Sequence, residues 1–209
     1  AQKTSSVVRA TPYGVPKPGL TPKDLIAGYI GDLFSVYLPF LLGRSMFRTT
    51  RDLRTRTLHR LDPATGAVTT VLSETGPTRV EPNQWLFEPP IVRVLADEVL
   101  WYSQRDGHGH LYRYDLRTGD LLGQVTSGSW VVRQILHVDE ADRVVYLLAS
   151  GLVDGDPYRR TVCRVGLDGS GFAKVTDDDL DHAVTLSPNG RYLVDSASTV
   201  DTPPVVTVR

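Results

Sequence analysis

Three stretches of this chain repeat one pattern about every fifty residues, and that repeat constrains the fold more than any single motif. They are "TLHRLDPATGAVTTVLSE" (Thr57–Glu74), "HLYRYDLRTGDLLGQVTSG" (His110–Gly128) and "TVCRVGLDGSGFAKVTDDD" (Thr161–Asp179). Each opens on an alternating strand with an arginine at the same place: Arg60, Arg113 and Arg164. A glycine-containing turn follows in each case, at Asp62–Gly66, Leu116–Gly119 and Leu167–Gly171. A second strand then closes the unit.

An earlier strand precedes each unit, at Ser45–Thr50, Val99–Gln104 and Val144–Ser150. Further candidate strands lie at Ile91–Val94 and Val131–Val138. The repeat therefore holds about four antiparallel strands, which is the blade of a β-propeller. "SPNGRYLV" (Ser187–Val194) begins another blade, with Pro188-Asn189-Gly190 as its hairpin turn. The expected fold class is all-β, about four blades forming a partial arc of a larger propeller. The expected blades are 1–33 (incomplete), 34–78, 79–126, 127–176 and 177–209 (incomplete). Thr21–Leu42 carries a helix-start signal at Thr21-Pro22, but Gly28, Gly31 and Pro39 interrupt it. Two strands, Leu25–Ile30 and Val36–Leu41, are expected there instead.

Composition excludes several classes of function. The net charge is −1, so no global field recruits nucleic acid or an anionic membrane. Lysine and arginine total 23, are mostly arginine and are scattered along the chain. A single cysteine, Cys163, rules out an internal disulfide and a cysteine-rich zinc site. No apolar run is long enough to span a membrane, and the first residues lack the apolar stretch of a signal peptide. The first residue is not Met, which leaves upstream processing or truncation open. Compartment is left open between cytoplasmic and secreted.

Candidate chemistry centres on Gly107-His108-Gly109-His110. Two imidazoles two residues apart on a strand face could hold zinc, but such a site needs three or four ligands. The favoured reading is a turn, with His110 starting the outgoing strand. Asp177-Asp178-Asp179 with Asp181 lacks the spacing and glycine of a calcium loop and reads as a solvated turn between blades. Cys163 alternates with valines and reads as a buried small side chain. The recurring arginines read as consequences of the repeat rather than a binding stripe. No metal and no cofactor is expected.

The 101–130 stretch also carries a family resemblance. "WYSQRDGHGHLYRYD" (Trp101–Asp115) resembles the S-E-R-D-G…H-L-Y…Y-D run of the dipeptidyl peptidase IV propeller, within the prolyl oligopeptidase family of serine peptidases. "QVTSGSW" (Gln124–Trp130) resembles that family's Q-L-T-x-G-x-W. "SPNGRYLVDS" (Ser187–Ser196) with "DTPP" (Asp201–Pro204) resembles its S-P-D-G-K-Y…D-S…D-T-P-P, and "YGVPKPG" (Tyr13–Gly19) its Y-P-K-A-G segment. The resemblance implies an eight-bladed propeller followed by an α/β-hydrolase domain, with this chain as roughly the second half of the propeller. It implies a serine exopeptidase that removes N-terminal dipeptides.

The chemistry of such an enzyme would lie outside this chain. The sequence contains no G-x-S-x-G elbow to raise a nucleophilic serine, and Gly169-Ser170-Gly171 has the wrong spacing. Catalytic residues in this chain are therefore expected to be none. The family's Glu-Glu pair, which binds the substrate's free amino group, is also missing here. The family's loop aromatic before an E-P motif corresponds to "NQWLFEP" (Asn83–Pro89). There Trp85 and Phe87 are the substrate-binding candidates, set against packing between blades. The neighbouring arginine of the family pattern is absent. The partners implied are the parent's own C-terminal hydrolase domain, a peptide substrate and a second copy in a homodimer, with no nucleic acid. A stand-alone propeller that binds a protein or peptide is the alternative, because fold does not fix function. A sugar-processing propeller is a third reading and would need acidic residues clustered at one end.

Overall fold

A computed structural model describes residues 45–62, 64–80, 91–187 and 190–209. The expected strands at 25–30 and 36–41, and the candidates Trp85 and Phe87, lie outside the described residues. The chain divides into two compact units, 1–81 with 117–119, and the remainder.

In the first unit, β1 (Ser45–Thr49), β2 (Thr55–Leu61) and β3 (Val68–Thr75) form an antiparallel sheet in the order β1-β2-β3. Alternation in β2 turns Arg56 and Leu58 inward, and Leu58, Leu61, Leu72 and Val80 are buried. The expected turn at Asp62–Gly66 is present: the Gly66 N–H reaches the Asp62 carbonyl at 2.8 Å, with Gly66 at φ 71°.

The second unit holds three sheets. The first consists of β4 (Val92–Val94), β5 (Glu98–Ser103), β6 (His110–Asp115) and β7 (Leu121–Gln124). The next consists of β8 (Val131–Asp139), β9 (Val144–Ser150), β10 (Arg160–Gly166) and β11 (Ala173–Lys174). The last consists of β12 (Asp181–Leu186), β13 (Leu193–Ser198) and β14 (Val205–Val208). Every pairing is antiparallel between consecutive strands. We refer to these sheets as blades B, C and D.

The blades stack face to face through alternate residues. Leu100, Tyr102, Leu111 and Val125 of blade B meet Val145, Leu147, Ala149, Cys163 and Val165 of blade C in one buried cluster. The opposite face of blade C presents Leu148 and Val162 to Leu193, Val184 and Leu186 of blade D. Polar contacts lock the rim of the B–C pair. The Ala96 N–H donates to Glu140 at 3.1 Å, Arg143 pairs with Glu98 at 3.2 Å, and Arg93 donates to the Ile135 carbonyl at 3.1 Å.

The outer strands of blades B and C are held by the same device. The Val125 N–H donates to the Leu111 carbonyl at 2.8 Å, and the Thr126 hydroxyl accepts the Leu111 N–H at 3.0 Å. Fifty positions on, Val175 donates to Val162 at 2.7 Å, and Thr176 accepts the Val162 N–H at 3.0 Å. The Val-Thr dipeptide thus ends the outer ladder and satisfies a backbone donor that would otherwise be buried unpaired.

The second strand of the 110–128 unit stops at Gln124, because the Thr126 side chain takes over there. In the 161–179 unit the corresponding strand shrinks to Ala173–Lys174. Pro188 and Asn189 of the expected hairpin turn lie outside the described residues; on either side of them the Ser187 N–H donates to the Tyr192 carbonyl at 2.9 Å. Gly190 sits at φ 68°, and a Cβ there would come within 2.8 Å of the His137 ring. Its glycine is needed for packing between blades C and D as well as for the turn.

Candidate functional site: the histidine networks of the second unit

Gly107–His110 is a turn whose second histidine has a structural task. The Gly107 N–H returns to the Gln104 carbonyl at 2.9 Å, and Gly107 takes φ 91°. His108 is exposed and His110 is 1% exposed. The rings are 6.4 Å apart and tilted by 42°. The His110 Nε2 lies 2.9 Å from the Gly128 carbonyl, an acceptor only, so Nε2 carries the hydrogen. Nδ1 therefore accepts from the Thr126 hydroxyl at 3.1 Å. Burial also holds the His110 pKa below its ordinary value, which favours the neutral ring. With both nitrogens spent, His110 has no lone pair for a metal. Its ring meets Trp130 edge-on at 5.1 Å, and Trp130 stacks on Phe172 at 5.1 Å.

Gly109 is set by close approach. A Cβ on it would stand 1.8 Å from the hydroxyl of Tyr102, which is 1% exposed and cannot swing away. Gly109→Ala is expected to destabilise the chain by about 1–3 kcal/mol through overpacking. A urea titration checks this, and an unchanged midpoint would contradict the packing.

Arg105, next to this turn, stacks on tyrosines. Its guanidinium lies 4.3 Å from the Tyr112 ring centroid and 5.8 Å from that of Tyr114. It donates to the Tyr114 hydroxyl at 2.7 Å and to the Ser103 hydroxyl at 3.0 Å. The S-Q-R-D-G run is thereby fixed as a scaffold on the strand below it.

The strongest electrostatic cluster lies in blade D. His182, fully buried, places Nδ1 2.9 Å from Asp195 and Nε2 2.9 Å from Asp178. Asp195 is 1% exposed and also accepts from Arg209 at 3.1 Å. Burial pushes the Asp178 carboxyl up, but the Leu180 N–H and the His182 ring outweigh it and hold Asp178 below the usual carboxylate value. Beside this cluster, Arg160 grips Asp181 with Nε at 2.9 Å and Nη2 at 2.7 Å, and lowers its pKa. The Asp177–Asp179 run is exposed, as expected of a turn, but Asp178 is also a histidine partner, which the run of like charges concealed.

The remaining candidates are accounted for by packing. Cys163 is fully buried, and burial pushes its thiol up to about 12. Such a thiol is inert at neutral pH. Arg60 and Arg164 face solvent at matching strand positions, whereas Arg113 lies 3.4 Å from Glu98. His59 shares a 3.3 Å contact with Thr70, and His137 packs against Tyr146. Among the described residues, no group of three or more His, Cys, Asp or Glu side chains is placed to hold a metal ion. No helix among them is long and apolar enough to cross a membrane.

This arrangement suits a stack of blades, and comparison with known proteins gives the same fold. A crystal structure of Porphyromonas gingivalis dipeptidyl peptidase 4 matches 78% of this chain with a TM-score of 0.65 and 22% identity. A putative dipeptidyl aminopeptidase IV from Bacteroides ovatus matches the same share with a TM-score of 0.63 and 23% identity. The matched regions cover 22% and 25% of those chains, so this chain spans about a quarter of their length. At that identity the likeness concerns the fold, a partial β-propeller. The family model of the dipeptidyl peptidase IV N-terminal region matches residues 44–204, most of the chain. The chain therefore belongs to the dipeptidyl peptidase IV N-terminal region family.

Proposed function

We propose that this chain is the non-catalytic propeller part of a dipeptidyl peptidase IV-like serine exopeptidase, and that it shapes substrate access to an α/β-hydrolase domain outside the chain. The observation that carries this reading is the family match across residues 44–204. The chemistry of the described residues supports it. The ring nitrogens of His110 and His182 are committed to structural hydrogen bonds, and the sequence holds no nucleophile elbow. The proposed blades are 34–78, 79–126 and 127–176, with incomplete ones at 1–33 and 177–209. Trp85 and Phe87 are the proposed substrate contacts, supplying an aromatic surface to the peptide.

A ring of stacked blades admits a narrow chain and excludes a folded domain, and it limits water at the reacting centre. The intact parent peptidase is accordingly expected to release dipeptides from an unstructured peptide. It should leave the same N-terminal sequence uncut when that sequence is flush against a folded domain. Product release measured by mass spectrometry checks this. Equal rates on the two substrates would contradict access shaping.

A further inference from the structure

Two consecutive arginines stand at the start of β10 in blade C, and both reach into the chain that leads to blade D. Arg160 gives three hydrogen bonds to one carboxylate on β12: its backbone N–H, Nε and Nη2 lie 2.8, 2.9 and 2.7 Å from Asp181. Arg159 donates to the Asp179 carbonyl in the connection and pairs with Asp156 of its own loop at 3.2 Å. The matching joint between blades B and C is built differently. There the Val132 N–H donates to the Gly109 carbonyl at 2.8 Å. Gly109 and Arg160 stand just before the matching residues His110 and Thr161, and Val131 and Asp181 each open the first strand of the next blade. The B–C connection puts Trp130 into the shared apolar cluster, whereas the C–D connection has Leu180, half-buried, at that place. Among the described residues the B–C cluster holds fourteen buried side chains, and the C–D cluster holds Leu148, Val162 and Leu193.

We propose that the Arg160–Asp181 pair is an ionic clasp that fixes blade D to blade C, and that blade D opens as a unit when the clasp is broken. Apolar burial stabilises in proportion to the area it covers, so the small C–D cluster leaves a larger share of that joint to the clasp. A fork of two guanidinium N–H groups on one carboxylate is stronger and more directional than an ordinary surface pair. The same carboxylate takes the Arg160 N–H on the side of β10 that β11 leaves uncovered, because β11 pairs only with Cys163 and Arg164. Asp181 therefore ends the outer edge of one blade while belonging to the next. The two side chains are 38% and 35% exposed, so dissolved ions reach the pair and screen it. The B–C joint also carries an ion pair, Arg143 with Glu98, but there the large apolar cluster carries the contact.

The blade held by the clasp is the one expected to open locally. Hydrogen exchange of the whole chain tests this. Asp181→Asn keeps the shape of the side chain and removes its charge. Amides of β12 and β13 should then exchange roughly fivefold faster, while those of β5, β6 and β9 hold their protection. Raising NaCl from about 0.05 M to about 1 M should speed the same blade D amides about twofold or more in the unsubstituted chain, and should add nothing in Asp181→Asn. Should that variant fail to fold, the salt response of the unsubstituted chain decides alone. Blade D exchange left unaltered in a folded Asp181→Asn, exchange that rises equally in all three blades, or blade D amides indifferent to salt in the unsubstituted chain would overturn the proposal.

Discussion

Leu147→Ala is expected to cost about 3 kcal/mol and to lower Tm by roughly 6–12 °C. Leu147 has no exposed surface, shares the B–C cluster with Leu100 and Tyr102 of blade B, and pairs with Cys163 on its own sheet. Removing three carbon groups there sacrifices transfer free energy and leaves a cavity, because both flanking sheets are fixed by their own ladders. Thermal unfolding followed by circular dichroism measures the loss. A change below about 1 kcal/mol would mean that the two blades are not packed on each other as described.

Asp195→Ala is expected to cost about 1–3 kcal/mol, for a different reason. The substitution leaves His182 facing a hole at Nδ1 and releases Arg209 from its buried partner. Most of the cost is the buried His182 ring nitrogen left without its partner. Replacing His182 and Asp195 together, by valine and leucine, removes both halves and is expected to cost much less than the sum of the single changes. A double-mutant cycle by urea denaturation reads this coupling directly. Additive single costs would show that the two groups do not act as a pair.

The repeat made the blades legible because a strand face alternates and a tight turn needs particular residues. Val144–Ser150 and His110–Asp115 fall where alternation and flanking turns put them. Glycines such as Gly66, Gly107 and Gly190 marked turns, and each takes a left-handed backbone there. Strand ends were less legible, because a side chain can end a ladder. Thr126 and Thr176 take the next backbone donor themselves, and the only sign is a Val-Thr dipeptide recurring at the repeat spacing. The H-G-H run drew attention to chemistry, whereas its buried histidine holds a connecting loop through the Gly128 carbonyl. His182 lacked any local motif. Asp195 is thirteen residues away and reaches it only because β12 and β13 pair. Its one sequence signal is comparative: a histidine and an aspartate stand where the preceding repeat has Val132 and Leu147.

Turnover by the chain itself most directly tests whether it bears structure while the chemistry lies elsewhere. The purified 209-residue chain, incubated with a Gly-Pro chromogenic substrate, is expected to release chromophore no faster than a buffer blank. Turnover at an enzyme-like rate, of the order of 1 s⁻¹ or more and proportional to chain concentration, would contradict it.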